Sequence, residues 1–345
     1  MTRAPLDHPF PTPPATAATI EVFPGIHWLR MALPFALDHI NLWLLADGDG
    51  WAVVDTGVDD GTTRAAWQQV LAGKRLTRLI CTHFHPDHMG LAGWLAAAHG
   101  VELTATLGEW SFGRMLTLEV GEDYAANQVE HYRRAGLTGE LLDGVRARVG
   151  SYRQRVAPLP PSISTIRDGS RLTIGGREWR VLVGRGHAPE HACLWCAEAG
   201  VLIAGDQILP RISPIVGVWP QQPDDDPLGA FLDSLRMLKG LPADTLVLPS
   251  HGLPFRGLHD RADELLRHHA QRLDHLRAAT TPAMVLELSR ALFRRELDPQ
   301  QMGFAVGETL SHANHLVANG EWRRTMREDG VWLFGPQPQL SAGAQ

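Results

Sequence analysis

The stretch His83-Phe84-His85-Pro86-Asp87-His88 puts three imidazoles and one carboxylate within six residues. All four are metal-ligating groups, and the spacing suits coordination better than any other local chemistry. The stretch follows the apolar run Leu-Thr-Arg-Leu-Ile-Cys-Thr, which reads as a strand. Alternate residues at a strand end point the same way, so His83 and His85 can bind one metal. Asp87 and His88 lie past Pro86, on the turn into a helix, where they can face a second metal close by. Three later residues repeat the pattern of a ligand type at the end of an apolar run, next to glycine. They are His187 after Trp-Arg-Val-Leu-Val, Asp206 after Val-Leu-Ile-Ala, and His251 after Thr-Leu-Val-Leu. Imidazole and carboxylate donors favour zinc, with iron or manganese as alternatives.

These residues need a scaffold of strands ending at a common edge. From Ile20 to about Leu107 the chain reads as strands with turns at Pro24-Gly25 and Asp47-Gly48, then as strand–helix–strand. Residues 108–161 read as three helices closed by Pro-Leu-Pro-Pro, a helical insertion between strands. After Ser162 short strands resume, and a long helix runs from about His259 to Ala278. Residues 281–335 have the order of a winged-helix-like module: helices, then a two-strand tail. The expected division is a flexible arm at 1–19, a main domain at 20–278, the module at 281–335 and a flexible tail at 336–345.

Composition narrows the chemistry. The chain has 345 residues, 44% of them hydrophobic, and a net charge of -6 with histidine neutral. That charge argues against a general nucleic-acid binder, which needs a basic surface. The insertion carries seven Arg against seven acids from Glu109 to Arg155, and residues 281–335 carry six Arg against seven acids. Neither is a basic platform. For the module, a pocket wall or a homodimer contact is the bland alternative to DNA binding. No apolar run is long enough to span a membrane. Three cysteines cannot form a disulfide framework, and no apolar leader stretch stands at the N-terminus, so a reducing, cytoplasmic location is expected. Cys193 and Cys196 form a C-x-x-C inside a buried strand, where they point to opposite faces and read as core residues.

In Asp55-Thr56-Gly57, His83 to His88, His187, Asp206 and His251, the sequence resembles the metallo-β-lactamase-fold hydrolase superfamily over about Ile20 to His259. The C-terminal residues resemble the module of its β-lactamase-like protein 2 branch. The resemblance implies an α/β fold, an αββα four-layer sandwich with the metals at one edge of two sheets. It implies two Zn2+ per chain: one held by His83, His85 and His187, one by Asp87, His88 and His251, with Asp206 bridging. Asp55 would orient a ligand histidine. A bridging Asp206 is similar to the glyoxalase II, lactonase and nuclease branches rather than true β-lactamases. His85 departs from the H-x-E-x-D-H of the diiron flavoproteins.

The chemistry then expected is a metal-bridging hydroxide attacking a thioester, ester or lactone carbonyl of a small acyl substrate, with Asp87 relaying a proton. A nuclease or phosphodiesterase of the β-lactamase-like protein 2 type is the alternative, and an iron-dependent persulfide dioxygenase a third. All three tyrosines, Tyr124, Tyr132 and Tyr152, fall in the insertion. One of them is a candidate donor to the anionic intermediate; packing between insertion helices is the alternative.

Overall fold

The computed structural model describes residues 6–293 and 297–338. Its contacts divide the chain into two units: residues 1–120, 150–214 and 233–264, and residues 121–149, 215–232 and 265–345.

The first unit is built on two sheets. The larger has seven strands in sequence order: β1 (Thr19–Phe23), β2 (Ile26–Ala32), β3 (His39–Asp47), β4 (Gly50–Val54), β5 (Leu76–Ile80), β6 (Leu103–Thr106) and β7 (Ser164–Ile166). Pairing is antiparallel from β1 to β4 and parallel from β4 to β7. The second sheet contains β8 (Arg171–Ile174), β9 (Arg177–Gly184), β10 (His191–Cys196), β11 (Val201–Gly205) and β12 (Leu246–Pro249), antiparallel except for the β11–β12 pair.

Strand β3 shows why the sheets stack. Trp43 and Leu45 point into the core shared with Val181, Leu194 and Ile203 of the second sheet. Leu42 and Leu44 point the other way, toward Trp67, Leu91 and Leu95. A strand buried on both faces reads as a continuous apolar run, as β3 does. Strand β10 alternates likewise: Ala192, Leu194 and Cys196 enter the inter-sheet core, whereas Cys193 lies on the other face with its Sγ on the Ala204 carbonyl. The three cysteines are free and buried.

Helices α1 (Gly61–Val70), α2 (Pro86–Met89) and α3 (Ala92–His99) accompany the first sheet. Asp60 caps α1 by accepting the Thr63 N–H at 2.7 Å. Trp67 of α1 is fully buried and donates to the Thr56 carbonyl at 2.7 Å, fixing the loop after β4. The αββα sandwich expected from sequence is the fold of this unit.

The helical segment after β6 does not stay together. Helix α4 (Leu107–Leu118) and the 3-10 turn at Tyr152–Gln154 belong to the first unit. Helices α5 (Glu122–Arg134) and α6 (Glu140–Ala147) belong to the second, because α6 packs on α10 (Pro299–Ala318). Between them in sequence come α7 (Pro227–Leu238), α8 (Leu258–Arg277) and α9 (Val285–Leu292). The second unit closes with a three-stranded sheet of β13 (Ala283–Met284), β14 (Trp322–Met326) and β15 (Trp332–Pro336), in the order β13-β15-β14. It therefore gathers more of the chain than the expected module at 281–335.

Of the expected arm, residues 1–5 lie outside the described residues. The next few are held in place: Asp7 bridges to Arg256, and His8 Nδ1 lies 3.0 Å from the Pro254 carbonyl. Residues 339–345 of the expected tail also lie outside the described residues. No helix among the described residues is long and apolar enough to cross a membrane.

Candidate metal centre

Parallel pairing puts the C-terminal ends of β4 and β5 on one edge, and those of β11 and β12 on one edge of the second sheet. Six of the seven sequence-predicted residues follow β5, β11 or β12, and the seventh, His187, follows β9. His83 and His85 follow β5, and Asp87 and His88 lie in α2, begun by Pro86 at its first position. His187 follows β9, Asp206 follows β11 directly, and His251 follows β12.

They converge as two groups: His83, His85, His187 and Asp206, and Asp87, His88 and His251. Within the first, His187 Nε2 is 3.3 Å from His83 Nε2 and 3.5 Å from Asp206 Oδ2. His83 Nε2 is 2.9 Å from His85 Nδ1. In the second, His251 Nε2 is 3.3 Å from Asp87 Oδ2. Asp206 Oδ1 lies 3.4 Å from His251 Nε2 and 3.6 Å from His88 Nε2. The two oxygens of Asp206 thus face different histidine sets. Ligands about 2.1 Å from a tetrahedral cation stand about 3.4 Å apart, so these spacings fit a donor set.

The remaining imidazole nitrogens explain the orientation. His251 Nδ1 donates to the His39 carbonyl at 2.7 Å, which leaves the Nε2 lone pair facing inward. His88 Nδ1 is 2.8 Å from Asp55 Oδ2, with the same result. Such partners fix the tautomer of a metal-binding histidine. Two buried atoms, His88 Nε2 and Asp206 Oδ1, have no hydrogen-bond partner. Buried polar atoms are costly unless satisfied, and a cation between these two would satisfy both.

Electrostatics agree. Burial, reinforced by the imidazoles of His88 and His85, pushes His83 well below its usual range. Burial, and then His187, takes His85 down to about 3. Burial also opposes charge on His88 and His251. The carboxylates of Asp55, Asp206 and Asp87 nevertheless hold His88 well above its usual range, and Asp206 and Asp87 raise His251 to about 10. The first group offers neutral imidazoles, and in the second the carboxylates draw positive charge onto His88 and His251, a charge that a bound cation would supply by displacing those protons.

Asp55 accepts from the Thr82 N–H at 2.8 Å as well as meeting His88. Its backbone is left-handed, with φ 63. Sequence reasoning missed several neighbours. His191 Nε2 accepts the Asp206 N–H at 3.0 Å, and its ring stacks on His83 at 4.7 Å. Gly205 leaves room for it: a Cβ there would lie 2.4 Å from the imidazole, and φ is +51. His39 Nε2 accepts the Gly252 N–H at 2.8 Å. Glu109 is fully buried, and burial pushes its carboxyl up to about 8. The one available signal was His191, four residues after His187 in Gly-His-Ala-Pro-Glu-His.

The tyrosines separate. Tyr152 donates its hydroxyl to the Phe84 carbonyl, between His83 and His85. Tyr124 and Tyr132 belong to the second unit. Tyr124 Oη accepts from Gln221 Nε2 at 3.0 Å, and Tyr132 is buried with its ring on His131 at 5.3 Å.

Comparison with known proteins points the same way. Residues 36–251 match the metallo-beta-lactamase superfamily, and residues 273–337 match its "Metallo-beta-lactamase-like, C-terminal domain". A beta-lactamase domain protein from Burkholderia ambifaria is 43% identical, covers 96% of this chain and 98% of its own, and superposes with a TM-score of 0.89. A hydroxyacylglutathione hydrolase from Rhodospirillum rubrum is 31% identical over 163 residues, 46% of this chain and 61% of that protein. A beta-lactamase-like protein 2 homolog from Caenorhabditis elegans is 23% identical over 69% of this chain and 64% of that protein. The chain thus spans less than two thirds of these two relatives. With its ligand types, sheet edges and C-terminal residues all accounted for, this chain belongs to the metallo-beta-lactamase superfamily.

Proposed function

We propose that the chain is a dinuclear metal-dependent hydrolase that cleaves a thioester, or an ester or lactone, of a small acyl substrate. The observation that carries this is Asp206, whose two oxygens face two separate histidine sets. His83, His85 and His187 would hold one zinc ion, and Asp87, His88 and His251 the other. Two divalent cations held there would supply a hydroxide nucleophile at neutral pH and an electrophile for the carbonyl oxygen.

The protein's own groups do the rest. Asp55 and the His39 carbonyl keep His88 and His251 in the tautomers that point lone pairs inward. Asp87 is more exposed than Asp206, with 15% against 10% of its side chain accessible, and is held at about 2 against burial by His88 and His251. It stays ionised and can take a proton from the attacking water or pass one to the leaving group. Tyr152 spends its hydroxyl proton on Phe84, and Tyr124 and Tyr132 have partners in the second unit. We assign none of the three a catalytic role.

The likeness to the Rhodospirillum hydroxyacylglutathione hydrolase supports a thioester over a phosphodiester, as does the absence of net basic charge in residues 109–155 and 281–335. Three free buried thiols suit a reducing, cytoplasmic compartment. We read α8 to β15 as a winged helix, because helix, strand, two helices and two strands with sheet order β13-β15-β14 reproduce its topology.

Thiol release from acyl-glutathione and acyl-CoA thioesters tests the activity, with zinc-loaded protein and His85→Ala as control. Turnover that disappears in the variant supports the reading. No turnover above the control on thioesters, esters or lactones would overturn it.

A further inference from the structure

Two loops carry the three histidines of the first donor group, and in sequence they lie about a hundred residues apart: His83 to His85, and His187 to His191. A single side chain joins them. Glu109, in the first turn of α4, accepts the Phe84 N–H on Oε2 at 2.9 Å and the Glu190 N–H on Oε1 at 2.5 Å. Phe84 separates His83 from His85, and Glu190 immediately precedes His191. The clasp is reciprocal, since Glu190 Oε2 accepts the Gly108 N–H at 2.8 Å. A Cβ on Gly108 would stand 2.8 Å from that same oxygen, so a larger residue there would have to displace the Glu190 carboxylate. Tyr152 holds the other side of the Phe84 residue, at its carbonyl.

A buried carboxyl group is an expensive way to join two loops, because an apolar residue would fill the space without desolvating polar oxygens. What it provides is two acceptor oxygens at a fixed spacing, aimed at two backbone N–H groups. We propose that Glu109 is a positioning residue of the metal centre, locking the His83–His85 and His187–His191 loops at the separation their imidazoles need to hold one cation. This rests on the dinuclear reading given above.

The test is zinc affinity of the full chain, by competition with a chromophoric chelator, in wild type and Glu109→Gln. The amide keeps the size but offers one acceptor oxygen and sets an NH2 against an N–H. Loss of about tenfold or more in affinity for one of the two zinc ions is expected, together with a changed visible spectrum of the cobalt-substituted protein. A merely structural Glu109 would lower the melting temperature and leave affinity and spectrum alone, and that result would overturn the proposal. Should Glu109→Gln not fold, hydrogen exchange on the wild type decides. Zinc should slow exchange of the Phe84 and Glu190 amides by about tenfold, and no slowing overturns the inference. A wild type that binds no zinc overturns the metal reading itself, whereas normal zinc binding in Glu109→Gln overturns only this inference.

Discussion

His88 Nδ1 and Asp55 Oδ2 stand 2.8 Å apart, and both side chains are buried from solvent. The pair links the end of β4 to α2 and sets which nitrogen of His88 faces the other donors. Asp55 holds a left-handed backbone, a conformation that asparagine also tolerates. Asp55→Asn should therefore fold while weakening the hold on His88. We expect zinc affinity to fall roughly 10- to 100-fold. Chelator competition would sink the idea by returning an affinity within twofold of wild type.

Tyr152 is expected to act as a brace. Tyr152→Phe removes one hydrogen bond to the Phe84 carbonyl and should destabilise the chain by about 1 kcal/mol, read from urea midpoints. Tyr124→Phe and Tyr132→Phe should leave kcat/KM within twofold. A fall of more than tenfold at either position, with stability unchanged, would restore a catalytic tyrosine.

Acid should weaken the second unit through two buried histidines. His312 Nδ1 donates to the Glu308 carbonyl at 2.7 Å, so its Nε2 accepts from His269 Nδ1 at 3.2 Å. Both rings are neutral in that arrangement. Burial, and then His312, pushes His269 down to about 2; burial takes His312 down to about 3. In the unfolded chain both take up a proton near pH 6.5. Between about pH 6.5 and about pH 3 the unfolded state thus binds more protons, and stability falls as pH falls. His269→Gln should flatten the slope of stability against pH by at most about 1.4 kcal/mol per pH unit. Urea midpoints at three pH values in this window would show it, and an unchanged slope would count against the neutral pair.

Zinc should stabilise the folded chain. Free zinc at about a hundred times its dissociation constant adds about 2.7 kcal/mol for one site. A chelator should reverse the gain, and His251→Ala should reduce it. Identical melting temperatures with zinc and with chelator would contradict a metal centre at Asp206.

The donors were legible because their signal is local. His83 to His88 lie in one short stretch, and His187, Asp206 and His251 each follow an apolar run. Strands β1 to β5 were legible for the same reason, through turns such as Pro24-Gly25 and buried runs such as β3. Glu109 was not, because an acidic residue in the first turn of a helix has an ordinary explanation in the helix dipole. Its role appears only when Phe84 and Glu190 are brought together by folding. The grouping of α5 and α6 with α10 was hidden likewise, since nothing within residues 121–149 announces a partner near residue 300. His39 looks like any other histidine until the backbone places it, whereas His191 stands only four residues after His187.

Between β6 and β7 the chain leaves the larger sheet and returns beside the strand it left. A parallel pair asks only for a crossover of about a dozen residues, so the sheet places little demand on what lies between. Glu109 near the start of this excursion and Tyr152 near its end are the exceptions, because both grip Phe84. The span separating them answers instead to the second unit, where α6 packs on α10. A protein engineer who recuts the stretch between α4 and Tyr152 must therefore return the chain to those two anchors and also keep the face of α6 that packs on α10.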